Sequence, residues 1–253
     1  MTGDREARAQ RVAEAFAEAH GLGPVDCPVS FANPIDDLIV PGGPSQPTPA
    51  PISVTDIGPT RPFAETVYSR RSTRQLLPPR AADVGLVVAR AGLTHDSGLD
   101  TAGARFDRSP APSAGGRHPL SLVVLVRDVD GLDAGSWVLD PDAAVLRRGV
   151  YTSSQVGLAF DAIALALHQA EPPPAAIVTV AHPDRTLTRY PAGISLLWRE
   201  AGALLMLVHL AATDIGLGSC IVGTCGVLNP PSDSASHPVD VGAVAIGALP
   251  SDD

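Results

Sequence analysis

Apolar positions along the chain follow two rhythms. Helical spacing, in which one face repeats every three or four residues, marks several stretches. The first covers residues 4–20, DREARAQRVAEAFAEAH, with Val12, Phe16 and Ala19 near one face, Asp4 placed as a cap and Gly21 as a stop. A short helix over 63–71 comes next. In AADVGLVVARAG (81–92), Val84, Val87, Val88 and Ala91 recur at the same spacing. SQVGLAFDAIALALHQA (154–170) stops before Pro172, Pro173 and Pro174, which cannot continue a helix. The longest helix is predicted over 192–215, apolar around most of its circumference and closed by Gly216. A helix so apolar must be covered on several sides, inside a core or by a second subunit.

The second rhythm is that of strands. HPLSLVVLVRDV reads as a strand apolar on both faces, followed by a Gly-Leu-Asp-Ala-Gly turn and a short strand at SWVLD. AAIVTVAH, residues 218–222 and residues 239–246 supply the others. Helices and strands mix without an internal repeat, so the fold class is α+β. Between residues 23 and 62 both rhythms lapse: ten prolines, with PGGPSQPTPAP at the centre, favour extended backbone. The expected organisation is an N-terminal helix and Pro-rich arm over 1–62, lying on the surface of something already folded if ordered, and a compact domain over 63–253.

Composition narrows the function. At 253 residues and 45% hydrophobic content the chain can bury a sizeable core. A net charge of -9 opposes a general nucleic-acid binder, which needs a basic surface. The N-terminus has no apolar signal-peptide core, and the longest uninterrupted apolar helical stretch, 201–213, is short of a bilayer span. A cytoplasmic protein with no membrane partner is therefore expected. Cys27, Cys220 and Cys225 form neither a disulfide framework nor a metal pattern, so no metal site is expected. All 18 basic residues are arginine.

Three segments carry candidate chemistry. In Tyr68-Ser-Arg-Arg-Ser-Thr-Arg74 the last five residues gather three guanidiniums and two hydroxyls after a short helix, a set suited to phosphate. The same residues also suit a solvated helix end. Pro112-Ser-Ala-Gly-Gly116 has backbone bare enough to approach a flat ligand, or to make a tight turn into a strand. Ser219–Thr224 suits either a pocket wall or the core. His118 stands directly after the second segment, facing substrate or packed at a strand entry, and Glu200 either anchors a polar network or pairs with an arginine.

Taken in order, RRSTR, PSAGGRHPL, RYPAGISLLWREAG, LAATDIGLG and the final AVAIG resemble the FMN-dependent nitroreductase superfamily over residues 63–249. Within it they are most similar to the SagB-type dehydrogenases, which oxidise azoline rings in ribosomally made peptides. The resemblance implies a mostly antiparallel sheet flanked by helices, an intertwined homodimer with the long helix near its centre, and FMN at the subunit interface. It assigns Arg70, Arg71, Ser72 and Arg74 to the phosphate and ribityl chain, and Pro112, Ser113, Ala114 and Gly115 to the isoalloxazine ring. The two sets are expected to hold opposite ends of one nucleotide. Gly223 falls near the flavin's redox-active edge.

The chain also departs from that pattern. A Lys-Tyr pair common in active SagB-type enzymes is here Arg189-Tyr190, and arginine is no proton acceptor. Tyr190, beside Arg189, is the local candidate for catalysis, its alternative being a core or interface tyrosine. In the long helix Ala203, Met206 and Leu207 replace polar residues of the relatives, and the tail AIGALPSDD lacks a basic residue. The leading expectation is an FMN-dependent dehydrogenase acting on a ring or backbone bond of a peptide natural product. The alternatives are a degenerate scaffold subunit and an NAD(P)H-dependent nitro or quinone reductase; the alternative to the homodimer is a heterodimer in which a sister chain completes each site.

Overall fold

The computed structural model describes residues 35–47, 61–99, 105–190, 192–223, 228 and 238–250. The predicted helix over 4–20 and most of the Pro-rich arm lie outside these residues, as do Cys27 and Cys225.

Seven strands form one sheet: β1 (Ser45–Pro47), β4 (Leu120–Val126), β5 (Gly135–Asp140), β6 (Val145–Arg148), β7 (Ala175–Ala181), β8 (Gly218–Val222) and β9 (Val239–Gly247). Their spatial order is β1-β6-β5-β4-β7-β9-β8, with every neighbouring pair antiparallel. A separate hairpin joins β2 (Asp96–Leu99) to β3 (Arg105–Arg108). The helices are α1 (Phe63–Ser69), α2 (Ala81–Gly92), α3 (Ser153–Leu167), α4 (Pro183–Leu187) and α5 (Ile194–Asp214).

The continuous apolar reading of β4 has a direct cause: both faces of the sheet are covered. Leu122, Val124 and Val126 point into a core shared with Val84, Val87, Val88 and Ala91 of α2 and Leu204, Val208 and Ala212 of α5. Val123 and Leu125 point the other way, onto Phe160, Ile163 and Leu167 of α3. Alternation of side chains across a strand thus feeds two cores at once.

Helix ends depart from the predicted ones by a few residues, each for a local reason. α3 starts in a capping box, Gln155 N–H donating to Thr152 Oγ1 at 3.3 Å and Thr152 N–H to Gln155 Oε1 at 2.9 Å. It stops at Leu167, before the prolines, because His168 turns left-handed with φ 56°. α5 closes as expected through Gly216 (φ 82°), with Leu217 N–H bonded to Ala212 O at 2.9 Å.

Residues 35–47 lie along the domain. Ile35 and Leu38 are buried in the α3-side core, and β1 pairs with β6 as the outermost strand, where Pro47 is tolerated. By length and composition α5 is apolar enough to cross a membrane, contrary to the shorter span read from sequence. It is nevertheless built as a core helix: it packs on the sheet and on α2, and its buried Glu200 and His209 are hydrogen-bonded to protein.

Candidate functional site

The arginine segment runs beside the end of the sheet. At its start, Asp214 at the end of α5 accepts from Arg61 N–H (3.0 Å) and Thr66 Oγ1 (3.1 Å) and pairs with Arg90 of α2, so α1, α2 and α5 are knotted together. Thr73 N–H then donates to Ser219 O at 2.9 Å, and Leu77 exchanges two backbone hydrogen bonds with Ala248. The segment is thereby clamped to β8 and to the end of β9.

Within it, Arg70 is half-buried and its Nη1 donates to His209 Nε2 at 3.0 Å. A guanidinium has no acceptor to offer, so Nε2 carries no proton and Nδ1–H donates to Ser219 Oγ, 2.6 Å away. His209 is buried and neutral; burial, and then the Arg70 charge, hold its pKa down at about 4. Arg71 is exposed and folds back on the Tyr68 and Arg70 carbonyls, both at 2.8 Å. Ser72 and Arg74 are exposed. None of the three arginines meets a carboxylate among the described residues, while most of the other charge contacts of this acidic chain are acid–arginine pairs. Sequence reasoning missed His209. The signal was available: one imidazole in the otherwise apolar run 201–212 of that helix.

The PSAGG segment is a tight turn ending in a single 3-10 turn, Ala114–Gly116. Gly115 has φ 62°, a region where a Cβ is strained, and a Cβ built there would sit 3.0 Å from Tyr190 Oη and 3.6 Å from Arg189 Nε. Ala114 N–H donates to Glu200 Oε1 at 2.8 Å. Ser113 Oγ accepts from His118 N–H at 2.9 Å. The His118 ring bridges back to the hairpin, Nε2–H donating to Asp107 O (2.7 Å) and Nδ1 accepting from Ser109 Oγ (3.1 Å). Burial pushes the pKa of His118 down, which keeps the ring in this neutral tautomer.

Pro112, Ser113, Ala114, Gly115, Arg189, Tyr190 and Glu200 are therefore brought together. Arg189 lies over the Tyr190 ring at 5.9 Å. Glu200 and His209, the α5 residues touched by the turn and by Arg70, are nine positions apart, about 14 Å along the helix at 1.5 Å per residue. Both sequence clusters thus rest on one helix. The cavity bordered by Pro112 and Glu200 has no wall residue from 70–74. Gly223 is exposed just beyond β8, the strand that carries Ser219.

An antiparallel sheet covered by helices on both faces, with the arginine segment and the PSAGG turn resting on one core helix, defines an α+β class of protein. Residues 67–226 match the Nitroreductase family, and the chain belongs to that family, whose members are generally flavin-dependent oxidoreductases. A curated nitroreductase-type protein of Methanocaldococcus jannaschii is 30% identical over 139 residues; the match spans 54% of this chain and 65% of that relative's length. Among solved structures, a nitroreductase-type protein from Ralstonia eutropha JMP134 superposes with TM-score 0.58 at 19% identity, over 90% of this chain and 96% of the other. A chain of the E. coli microcin synthetase McbBCD complex with truncated pro-MccB17 bound gives TM-score 0.60 at 15% identity, over 96% and 93% of the two chains. At these identities the structural likeness concerns the fold.

Proposed function

We propose that this protein is an FMN-dependent dehydrogenase of the SagB type, removing a hydride and a proton from an azoline ring or backbone bond of a ribosomally made peptide. The observation that carries the proposal is the arginine segment: three guanidiniums without a carboxylate partner among the described residues, in a chain of net charge -9, clamped to the sheet and with Arg70 aimed by a neutral histidine. Such an arrangement fits a phosphate. The turn fits the flat end of the same cofactor, because Gly115 carries no side chain and its backbone takes a left-handed turn against Tyr190, where a Cβ would sit 3.0 Å from Oη.

When bound, the flavin supplies the hydride acceptor. The chain's own residues do the rest. Arg70, Arg71, Ser72 and Arg74 bind and orient the phosphate end. Pro112, Ser113, Ala114 and Gly115 present backbone to the ring, their shape fixed by Glu200 and His118. Tyr190 Oη, next to Gly115, is the group placed to take the substrate proton, and Arg189 over its ring holds a positive charge nearby. Gly223 remains a candidate at the ring's edge.

The site is completed by a second copy. The cavity beside the turn is not bordered by residues 70–74, and α5 exposes Trp198, Gly202 and Met206 at intervals of four residues, an apolar stripe suited to a homodimer interface. The microcin synthetase neighbour, with its bound propeptide, supports a peptide as substrate. A scaffold subunit is the second reading, favoured by Ala203, Met206 and Leu207 standing where relatives have polar groups.

Titration of the purified protein with FMN tests the proposal. Saturable binding is expected, with Arg70→Ala weakening it about tenfold or more, the scale of one charge-assisted hydrogen bond. A colourless protein that ignores FMN would leave the scaffold reading. Rapid NAD(P)H oxidation with quinones, and no turnover of azoline peptides, would favour a general reductase.

A further inference from the structure

α3 departs from the usual pattern of a surface helix. One flank packs into the core through Val156, Ala159, Phe160, Ile163 and Leu167. The other faces outward and is not polar. Leu158 and Leu165, two helical turns apart, are 61% and 77% exposed, with Gly157 and Ala166 exposed beside them and Ala162 half-buried between. Asp161 is the one charged residue of the helix. A helix apolar around its circumference is a covered helix, and a contiguous apolar stripe marks a docking surface where scattered leucines would not. Among the described residues nothing covers this stripe.

What covers it follows from where α3 sits. It lies on the sheet face opposite α2 and α5. A dimer through the outer stripe of α5 leaves α3 on the far side of each protomer, away from the second copy. Within the chain, residues 229–237, NPPSDSASH, offer no large apolar side chain. Residues 48–60 connect β1 to α1, which Thr66 and Asp214 tie to α5 on the other face. Residues 1–34, in contrast, join the body at Ile35, which is buried in the α3-side core.

We propose that the outer stripe of α3 is the docking surface for residues 4–20 of the same chain, laid against it as an amphipathic helix. The fit is one of pattern, charge and reach. At steps of three and four, Arg5, Arg8, Val12, Phe16 and Ala19 fall on one helical face, and Glu6, Glu14 and Glu18 fall outside it. That face supplies apolar groups to Leu158, Ala162 and Leu165. It also supplies two guanidiniums to Asp161, which has no ion-pair partner among the described residues. At 1.5 Å per residue the docked helix measures about 26 Å and α3 about 22 Å. The connecting residues 21–34 reach at most about 50 Å at roughly 3.6 Å each, so all of α3 is within range of Ile35. No residue of the arginine segment or of the PSAGG turn takes part.

A photo-cross-linker at the stripe of the full-length protein, Leu165→p-benzoylphenylalanine, tests the assignment. Irradiation is expected to give a product that keeps the monomer mass on a denaturing gel, with mass spectrometry locating the join in residues 4–20. Phe16→Asp is expected to lower its yield about tenfold or more. Independently, trypsin is expected to cut after Arg5, Arg8 and Arg11 at least about tenfold faster in a Leu158→Glu, Leu165→Glu protein than in the parent, with circular dichroism showing both folded. A join to a second copy, a join elsewhere in the chain, no join at all, or equal tryptic rates would overturn the proposal.

Discussion

A single imidazole decides how the arginine segment is presented. His209 can accept from Arg70 only while neutral, and Ser219 fixes which nitrogen holds its proton. Histidines held in this way make folding sensitive to acid. His182 is also fully buried, hydrogen-bonded to Ser121 Oγ, its pKa pushed to about 3 by burial first and by Arg185 second. Both folded values lie below the unfolded value of 6.5. Between 6.5 and these values the unfolded chain binds protons that the native one does not, so their contribution is complete above pH 6.5 and is lost as pH falls towards 4 and then 3. Urea midpoints are therefore expected to decline on acidification below pH 6.5. Replacing either histidine with Gln should reduce the slope between pH 6.5 and 5 by about one proton, and an unchanged slope would refute the neutral assignment.

At the scale of elements, the PSAGG turn owes its shape to a backbone only glycine adopts easily. Gly115→Ala places a methyl 3.0 Å from Tyr190 Oη in a left-handed conformation costing about 1–2 kcal/mol. FMN titration of that variant should show binding weakened about tenfold, with the far-UV spectrum unchanged. The same scale shows what could be read in advance. β4, β7, α2 and α5 were legible because burial on one or two faces writes a clear period into the sequence. The β2–β3 hairpin was not: DSGL and RFDR carry no apolar alternation and are held by arginine–aspartate pairs and a ring contact instead. β1 was hidden by its proline, and the end of α3 by a left-handed His168. Of the site, the two motifs were visible as runs of special residues. Their common support on α5 through Glu200 and His209 was not, because a contact across 86 or 139 residues leaves no local trace.

For the whole molecule, the decisive surface is the outer stripe of α5. Trp198 and Met206 are 40% and 42% exposed on the longest helix, beside Gly202, which leaves room for close approach. If two copies meet there, Trp198→Glu combined with Met206→Glu is expected to convert a dimer to a monomer by light scattering. FMN affinity should fall in step, because each site needs both chains. A monomeric parent protein with full FMN affinity would exclude that arrangement.

The segment before residue 63 has a consequence for anyone shortening the protein. Ile35 and Leu38 plug the α3-side core, and Ser45–Pro47 is the seam that closes the free margin of β6. Trimmed to begin at residue 63, the chain would keep its flavin motifs yet lose its selvedge. It should precipitate by strand-to-strand stacking, even though every proposed flavin-site residue would still be present.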